Sequence, residues 1–152
     1  MFLINYQEEQ QLGTPIYLLS EQSFSFEPWK DCDFSLMIGE GYNSLDVCLK
    51  TKEVVHLSGL NPKERWRRGK IVPPDRKHGT LLLQNADTYL PGTGITYASD
   101  WKTTFDESTG WIRLGNHLSK IPCEYVEFAN NTIAAVYQGN VVTIWIRPVF
   151  KP

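Results

Sequence analysis

Residues 123–149, CEYVEFANNTIAAVYQGNVVTIWIRPV, decide the fold class. Three runs rich in β-branched and aromatic residues, Cys123 to Ala129, Thr132 to Tyr137 and Val141 to Val149, are separated by Asn130-Asn131 and Gln138-Gly139-Asn140. Asn and Gly tolerate the positive φ that tight hairpin turns require, so the spacing predicts an antiparallel meander. Immediately upstream, Trp101 to Phe105 and Trp111 to Leu114 flank the turn Asp106-Glu107-Ser108-Thr109-Gly110 and predict a further hairpin.

Working towards the N-terminus, short strands are expected at Pro15 to Leu19, Ser23 to Phe26, Phe34 to Ile38, Thr80 to Gln84 and Ile95 to Ala98. Tyr42 to Leu49 and Val54 to Leu57 read as a hairpin turning at Lys50 to Glu53. Asn61-Pro62-Lys63-Glu64 can start one helical turn, with Asn61 as the cap and Pro62 at the first helical position, but Gly69 and Pro73-Pro74 stop it. No window sustains helical apolar spacing over three turns. The expected class is mainly β: an antiparallel meander forming a bent sheet, a sandwich or a small barrel, with little helix.

No repeat or linker divides the chain, and 152 residues suffice for one domain that buries roughly 70% of its unfolded surface without a metal or disulfide staple. No apolar run approaches the ~20 residues of a membrane span. MFLINYQEEQQ has no basic region and does not read as a signal peptide, which places the expected protein in the cytoplasm with no membrane partner. Cys32, Cys48 and Cys123 are odd in number, widely spaced and free of a C-x-x-C pattern, arguing against both a disulfide framework and a zinc site.

Charge is unevenly distributed. Residues 1–46 hold eight acids (Glu8, Glu9, Glu21, Glu27, Asp31, Asp33, Glu40 and Asp46) against Lys30, a net of −7. Residues 63–77 reverse this, with Lys63, Arg65, Arg67, Arg68, Lys70, Arg76 and Lys77 against Glu64 and Asp75, a net of +5. Either the two segments neutralise each other in the fold, or one is presented to a partner of opposite charge.

Catalytic patterns are absent. There is no G-x-S-x-G elbow, and His56, His78 and His117 lie more than 20 residues apart with no metal-binding spacing, so any metal centre would have to be assembled by the fold; no metal or cofactor is expected. His56, in an apolar strand, reads as structural, and His78 and His117 as solvated turn residues. Glu124 and Glu127 are three apart on one strand and point to opposite faces, so they cannot act as a pair. The pairs Gly39/Gly41 and Gly92/Gly94 read as turns, not as phosphate loops. Asn130-Asn131-Thr132 is better explained as a hairpin turn than as a glycosylation site.

Two surfaces remain. Arg65-Trp66-Arg67-Arg68 and Lys70 interleave cations with a ring, the composition of a single-stranded nucleic-acid site, although a pI of about 5.9 opposes that reading. Most of the five tryptophans will be core, and any left exposed beside carboxylates such as Asp100, Asp106 and Glu107 would suit a protein interface.

STGWIRLG (108–115) followed by EYVEFANNTIAAVYQGNVVTIWIRPVF (124–150) resembles the C-terminal halves of small bacterial toxin-immunity and otherwise uncharacterised proteins, on hairpin residues such as Thr109-Gly110-Trp111 and Asn131-Thr132-Ile133-Ala134. The resemblance covers about a third of the chain and carries no catalytic residue. It implies a stoichiometric inhibitor of a cognate toxin, commonly a nuclease. The expected function is therefore non-catalytic binding and occlusion of that toxin through Glu21, Glu27, Asp31 and Asp33, or through Asp100, Trp101, Asp106 and Glu107. Alternatives are a small-ligand-binding barrel or sandwich with a tryptophan-lined pocket, a nucleic-acid-binding domain using the loop 63–77, and an enzyme assembled from scattered residues such as His56, His78, Asp87 and Glu127.

Overall fold

The computed structural model describes residues 1–9, 12–39, 42–116 and 120–152. Strand takes up 54% of the described residues and helix 4%, so the mainly β expectation holds. Among these residues fifteen strands join into one curled mixed sheet. Its path runs from β15 (Val149–Lys151) through β2 (Thr14–Leu18), β3 (Ser23–Glu27), β6 (Glu53–Leu60) and β8 (Lys77–Leu83). It continues through β12 (Glu124–Ala129), β13 (Thr132–Tyr137), β14 (Asn140–Ile146), β11 (Ile112–Gly115) and β10 (Thr103–Phe105) to β7 (Arg67–Arg68). β1 (Phe2–Tyr6) branches from β8, and β5 (Tyr42–Cys48), β4 (Phe34–Ile38) and β9 (Thr93–Ala98) branch in series from β6.

The meander forms as its turns dictate. β12, β13 and β14 pair antiparallel, and Asn131 takes the positive φ of 52° at the first turn, with Gln138 and Gly139 at 50° and 77° at the second. β13 is buried on both faces: Ala134 and Val136 join the main core, while Ile133 and Ala135 pack with Ile71, Trp111 and Trp145 on the other side. Each fully buried large side chain contributes about 2 kcal/mol. Ile71 belongs to the basic segment, so that segment is anchored to the sheet at this point.

Four parallel pairings lie outside the expected meander: β4 with β9, β8 with β12, β2 with β15, and β7 with β10. Parallel neighbours are necessarily distant in sequence and carry no turn signature, which is why residue patterns do not reveal them. β1 was also unexpected, since only Phe2 of its five residues is fully buried. The helical turn is a 3-10 turn at Lys63–Arg65 with Pro62 one position before it; the Asn61 carboxamide is used elsewhere, accepting from Trp66 Nε1–H at 2.9 Å.

The curl brings the two ends of the sheet together. Tyr17 of β2, Phe150 of β15, Phe105 of β10 and Trp66 beside β7 form one ring cluster, with centroids 4.8 Å apart for Tyr17–Trp66, 5.3 Å for Trp66–Phe105 and 5.6 Å for Phe105–Phe150. Aromatic packing thus takes the place of backbone hydrogen bonds at the seam.

Candidate functional site

The hairpin β5–β6 carries two adjacent polar cross-strand pairs on one face, Ser44 opposite Ser58 and Asp46 opposite His56. A register shift between Asp46 and Val47 creates this alignment. Asp46 is buried and accepts three hydrogen bonds: from Ser44 Oγ at 2.9 Å, from Ser58 Oγ at 2.5 Å and from His56 Nδ1 at 2.9 Å. A carboxylate only accepts, so His56 donates from Nδ1, and Nε2 is the ring nitrogen turned away from Asp46. That nitrogen is buried and has no hydrogen-bond partner. The imidazole, 0% exposed, is held between Phe26, 5.4 Å away, and Trp29, 4.2 Å away. The sequence reading of His56 as a residue inside the fold agrees with this placement, but its carboxylate partner was not foreseen.

Residues 28–33, between β3 and β4, cover this network. Among the described residues, Cys32 Sγ, a carboxylate oxygen of Asp46 and a ring nitrogen of His56 all lie within 4.8 Å of one another. Burial, helped by the nearby carboxylates Asp46, Asp33 and Asp31 and by Cys48, pushes the Cys32 thiol up to about 11. At neutral pH it is a thiol, so the Cys–His–Asp grouping does not hold an activated nucleophile. Three residue types that ligate metals nevertheless converge here, through the fold and with no sequence spacing to announce it.

The outer surface of the same loop differs from the buried side. Trp29 is 53% exposed and is the one exposed tryptophan of the five. Beside it, Glu27 and Asp31 are exposed, with Glu27 paired to Lys151 at 3.3 Å, while Asp33 is half-buried and accepts the Leu49 N–H at 2.8 Å. The expected acidic cluster is divided. Glu21 lies at the opposite end of β3, where it lines a cleft with Lys63, Glu64 and Arg68. Glu40 and Gly41 fall outside the described residues.

The second expected cluster is also split. Asp100 is exposed and Trp101 half-buried before β10, whereas Asp106 and Glu107 follow that strand. Asp106 is a structural residue: Oδ2 accepts the Ile71 N–H at 2.9 Å, and Oδ1 accepts the Ser108 N–H at 3.1 Å and Oγ–H at 2.7 Å. Those donors hold its carboxyl below the usual carboxylate range. Glu107 pairs with Arg68 on the surface. Exposed aromatic and acid therefore coincide at Trp29, not at residues 100–107.

Arg65, Arg67, Arg68 and Lys70 are exposed, but Trp66 is buried in the seam. Its ring packs on Tyr17, Phe24 and Phe105 and has no face left for stacking on a base. Among the described residues, the ion pairs of the basic segment run to Glu107 and Glu127, neither of which belongs to the acidic segment 1–46. The tryptophan-lined cavity, between Trp66 and Trp101, measures about 40 Å³. That holds a few waters at most, far below the ~300 Å³ of a small-molecule site.

A second polar centre lies across the parallel pair β8–β12. Buried Glu127 accepts Arg76 Nε–H at 3.1 Å and the Asn131 N–H at 3.2 Å, and its Oε2 is 3.9 Å from His78 Nδ1. These residues, with Asp75, line an open cleft of about 570 Å³. His78 was expected in solvent; pairing it beside Glu127 in the register leaves its side chain only a third exposed. Glu124, at the start of β12, is exposed and Glu127 is buried. Asp87 sits on a separate exposed turn, and His117 lies outside the described residues, so His56, His78, Asp87 and Glu127 do not form one site.

No helix of the described chain is long and apolar enough to cross a membrane. The chain matches no family model, no curated protein and no solved structure, so the reading of its sites stands on their own geometry.

Proposed function

We propose that this chain is a non-catalytic protein-binding domain of the immunity type, which occludes a cognate bacterial toxin in the cytoplasm with the surface of residues 27–33. One observation carries the reading: Trp29 projects over half its area into solvent while its ring packs on buried His56, with Glu27 and Asp31 beside it in sequence. A preorganised aromatic anchor beside carboxylates is the composition of an interface hot spot, and acids around it steer a basic partner, such as the substrate-binding face of a nuclease, into contact. Arg65, Arg67 and Lys70 lie elsewhere in the sequence, and at this surface Lys30 and Lys151, the latter paired with Glu27, leave Asp31 as the exposed carboxylate beside Trp29.

The test is titration of the full chain, by calorimetry, against the product of the neighbouring toxin gene. A complex is expected whose affinity falls at least tenfold in Trp29→Ala, and whose affinity in Asp31→Lys falls and depends less on salt. Absence of any complex, or a Trp29→Ala variant that binds as well as the parent, overturns the reading.

A further inference from the structure

We propose that Cys32, Asp46 and His56 form a binding site for a thiophilic divalent cation of the Zn²⁺ class, beneath the loop 27–33. The inference is independent of the proposed partner.

The ligand set comes first. One sulfur, one imidazole nitrogen and one carboxylate oxygen within 4.8 Å of one another make up a mixed S/N/O set typical of zinc, with a fourth position open to water. Metal–ligand distances of about 2.0–2.3 Å in a tetrahedron bring the donor atoms to about 3.3–3.6 Å from each other. Asp46 and His56 already approach to 2.9 Å, so the adjustment falls on Cys32 and amounts to roughly 1 Å at the limit of that separation. Cys32 stands in the irregular stretch between β3 and β4, outside both strands, and can move that far without breaking a ladder.

The surroundings bear on the same site. His56 is completely buried, and Nδ1 is the ring nitrogen that faces Asp46 and would ligate the ion. Asp46 is fixed from outside by Ser44 and Ser58, the kind of outer hydrogen bonding that orients ligating carboxylates. Trp29 and Phe26 both pack against the imidazole, which is closed off from water. Asp31 and Asp33 add negative charge close by, against the single cation Lys30. On binding, the thiol loses its proton to solvent, the imidazole proton passes from Nδ1 to Nε2, and the sulfur and Nδ1 each donate an electron pair to the metal, with no redox change.

Co²⁺ is the probe, added to the reduced, chelator-treated full chain and followed by absorption. Expected are a near-ultraviolet thiolate-to-cobalt charge-transfer band and the visible bands of a tetrahedral ion, saturating at one equivalent and displaced by Zn²⁺. Cys32→Ser, at a half-buried loop position, keeps its thermal transition and loses the charge-transfer band. Cys48→Ser keeps the band, and Asp46→Asn weakens Co²⁺ binding by at least tenfold. No charge-transfer band in the parent, or a band that survives in Cys32→Ser, overturns the proposal.

Discussion

The indole of Trp29 and the imidazole of His56 are 4.2 Å apart at a tilt of 45°, yet one is more than half exposed and the other wholly buried. Trp29 therefore acts both as the roof of the polar network and as an outward-facing anchor. Removing it is expected to cost about 1 kcal/mol of stability, the value of one aromatic contact, or a melting point lower by about 2–4 °C. Calorimetric melting of Trp29→Ala against Trp29→Phe, the latter close to the parent, checks this. A much larger loss would make Trp29 chiefly a core residue.

Asp46 is the acceptor for two buried donors, Ser44 and His56, and for half-buried Ser58, so Asp46→Ala strands all of them. A loss of about 3 kcal/mol is expected in urea unfolding, against about 1–2 kcal/mol for Asp46→Asn, which keeps one acceptor oxygen. Equal losses in the two variants would show that volume, and not hydrogen bonding, matters at this position.

Asp106 gives the molecule an acid-sensitive joint. Its carboxyl titrates below the usual range because Ile71 and Ser108 donate to the ionised form. The folded state thus binds the proton more weakly than the unfolded chain. Its contribution is complete above the unfolded value near ~3.9 and disappears as pH falls through the lower folded value. Melting curves from pH 6 to pH 2.5 are expected to show Asp106→Asn less stable than the parent at pH 6, with the gap closing below about pH 4. A constant gap across the range would remove the assignment.

Glu127 is buried, with Arg76 and the Asn131 N–H as partners. Glu127→Ala leaves that N–H unpaired and releases Arg76, and a loss of about 2–3 kcal/mol is expected by chemical denaturation. Arg76→Ala strands the carboxylate and is expected to cost a similar amount. The double variant is expected to cost less than the sum of the two, and strict additivity would show that the pair is not coupled.

Residue patterns reported the local structure well. Phe24 and Phe26 alternate with exposed or half-buried neighbours as β3 requires, and Asn131 and Gly139 stand where the meander turns with positive φ. They did not report what the chain brings together from afar. β2 with β15 and β4 with β9 are parallel pairs without a connecting turn. The site was half readable. The hairpin 42–60 was evident, but a simple register continued from Cys48 opposite Glu53 would set His56 against Leu45; the bulge after Asp46 sets it against Asp46 instead. Cys32 arrives from a loop that no periodicity places. Trp66 shows the converse: interleaved with arginines, it has the pattern of a stacking residue, but its ring serves the seam.

The seam also governs the order in which the molecule assembles. Strand β15 pairs with β2, near opposite ends of the chain, and closing so long a loop costs about 4 kcal/mol of chain entropy before any contact offsets it. The hairpins 42–60 and 124–146 close over a few residues and need no such advance. Tyr17, Trp66, Phe105 and Phe150 come from four separate stretches of the chain. Folding is accordingly expected to end at this aromatic closure, and in native-state hydrogen exchange the amide protons of β15 are expected to exchange sooner than those of β13, which is buried on both faces.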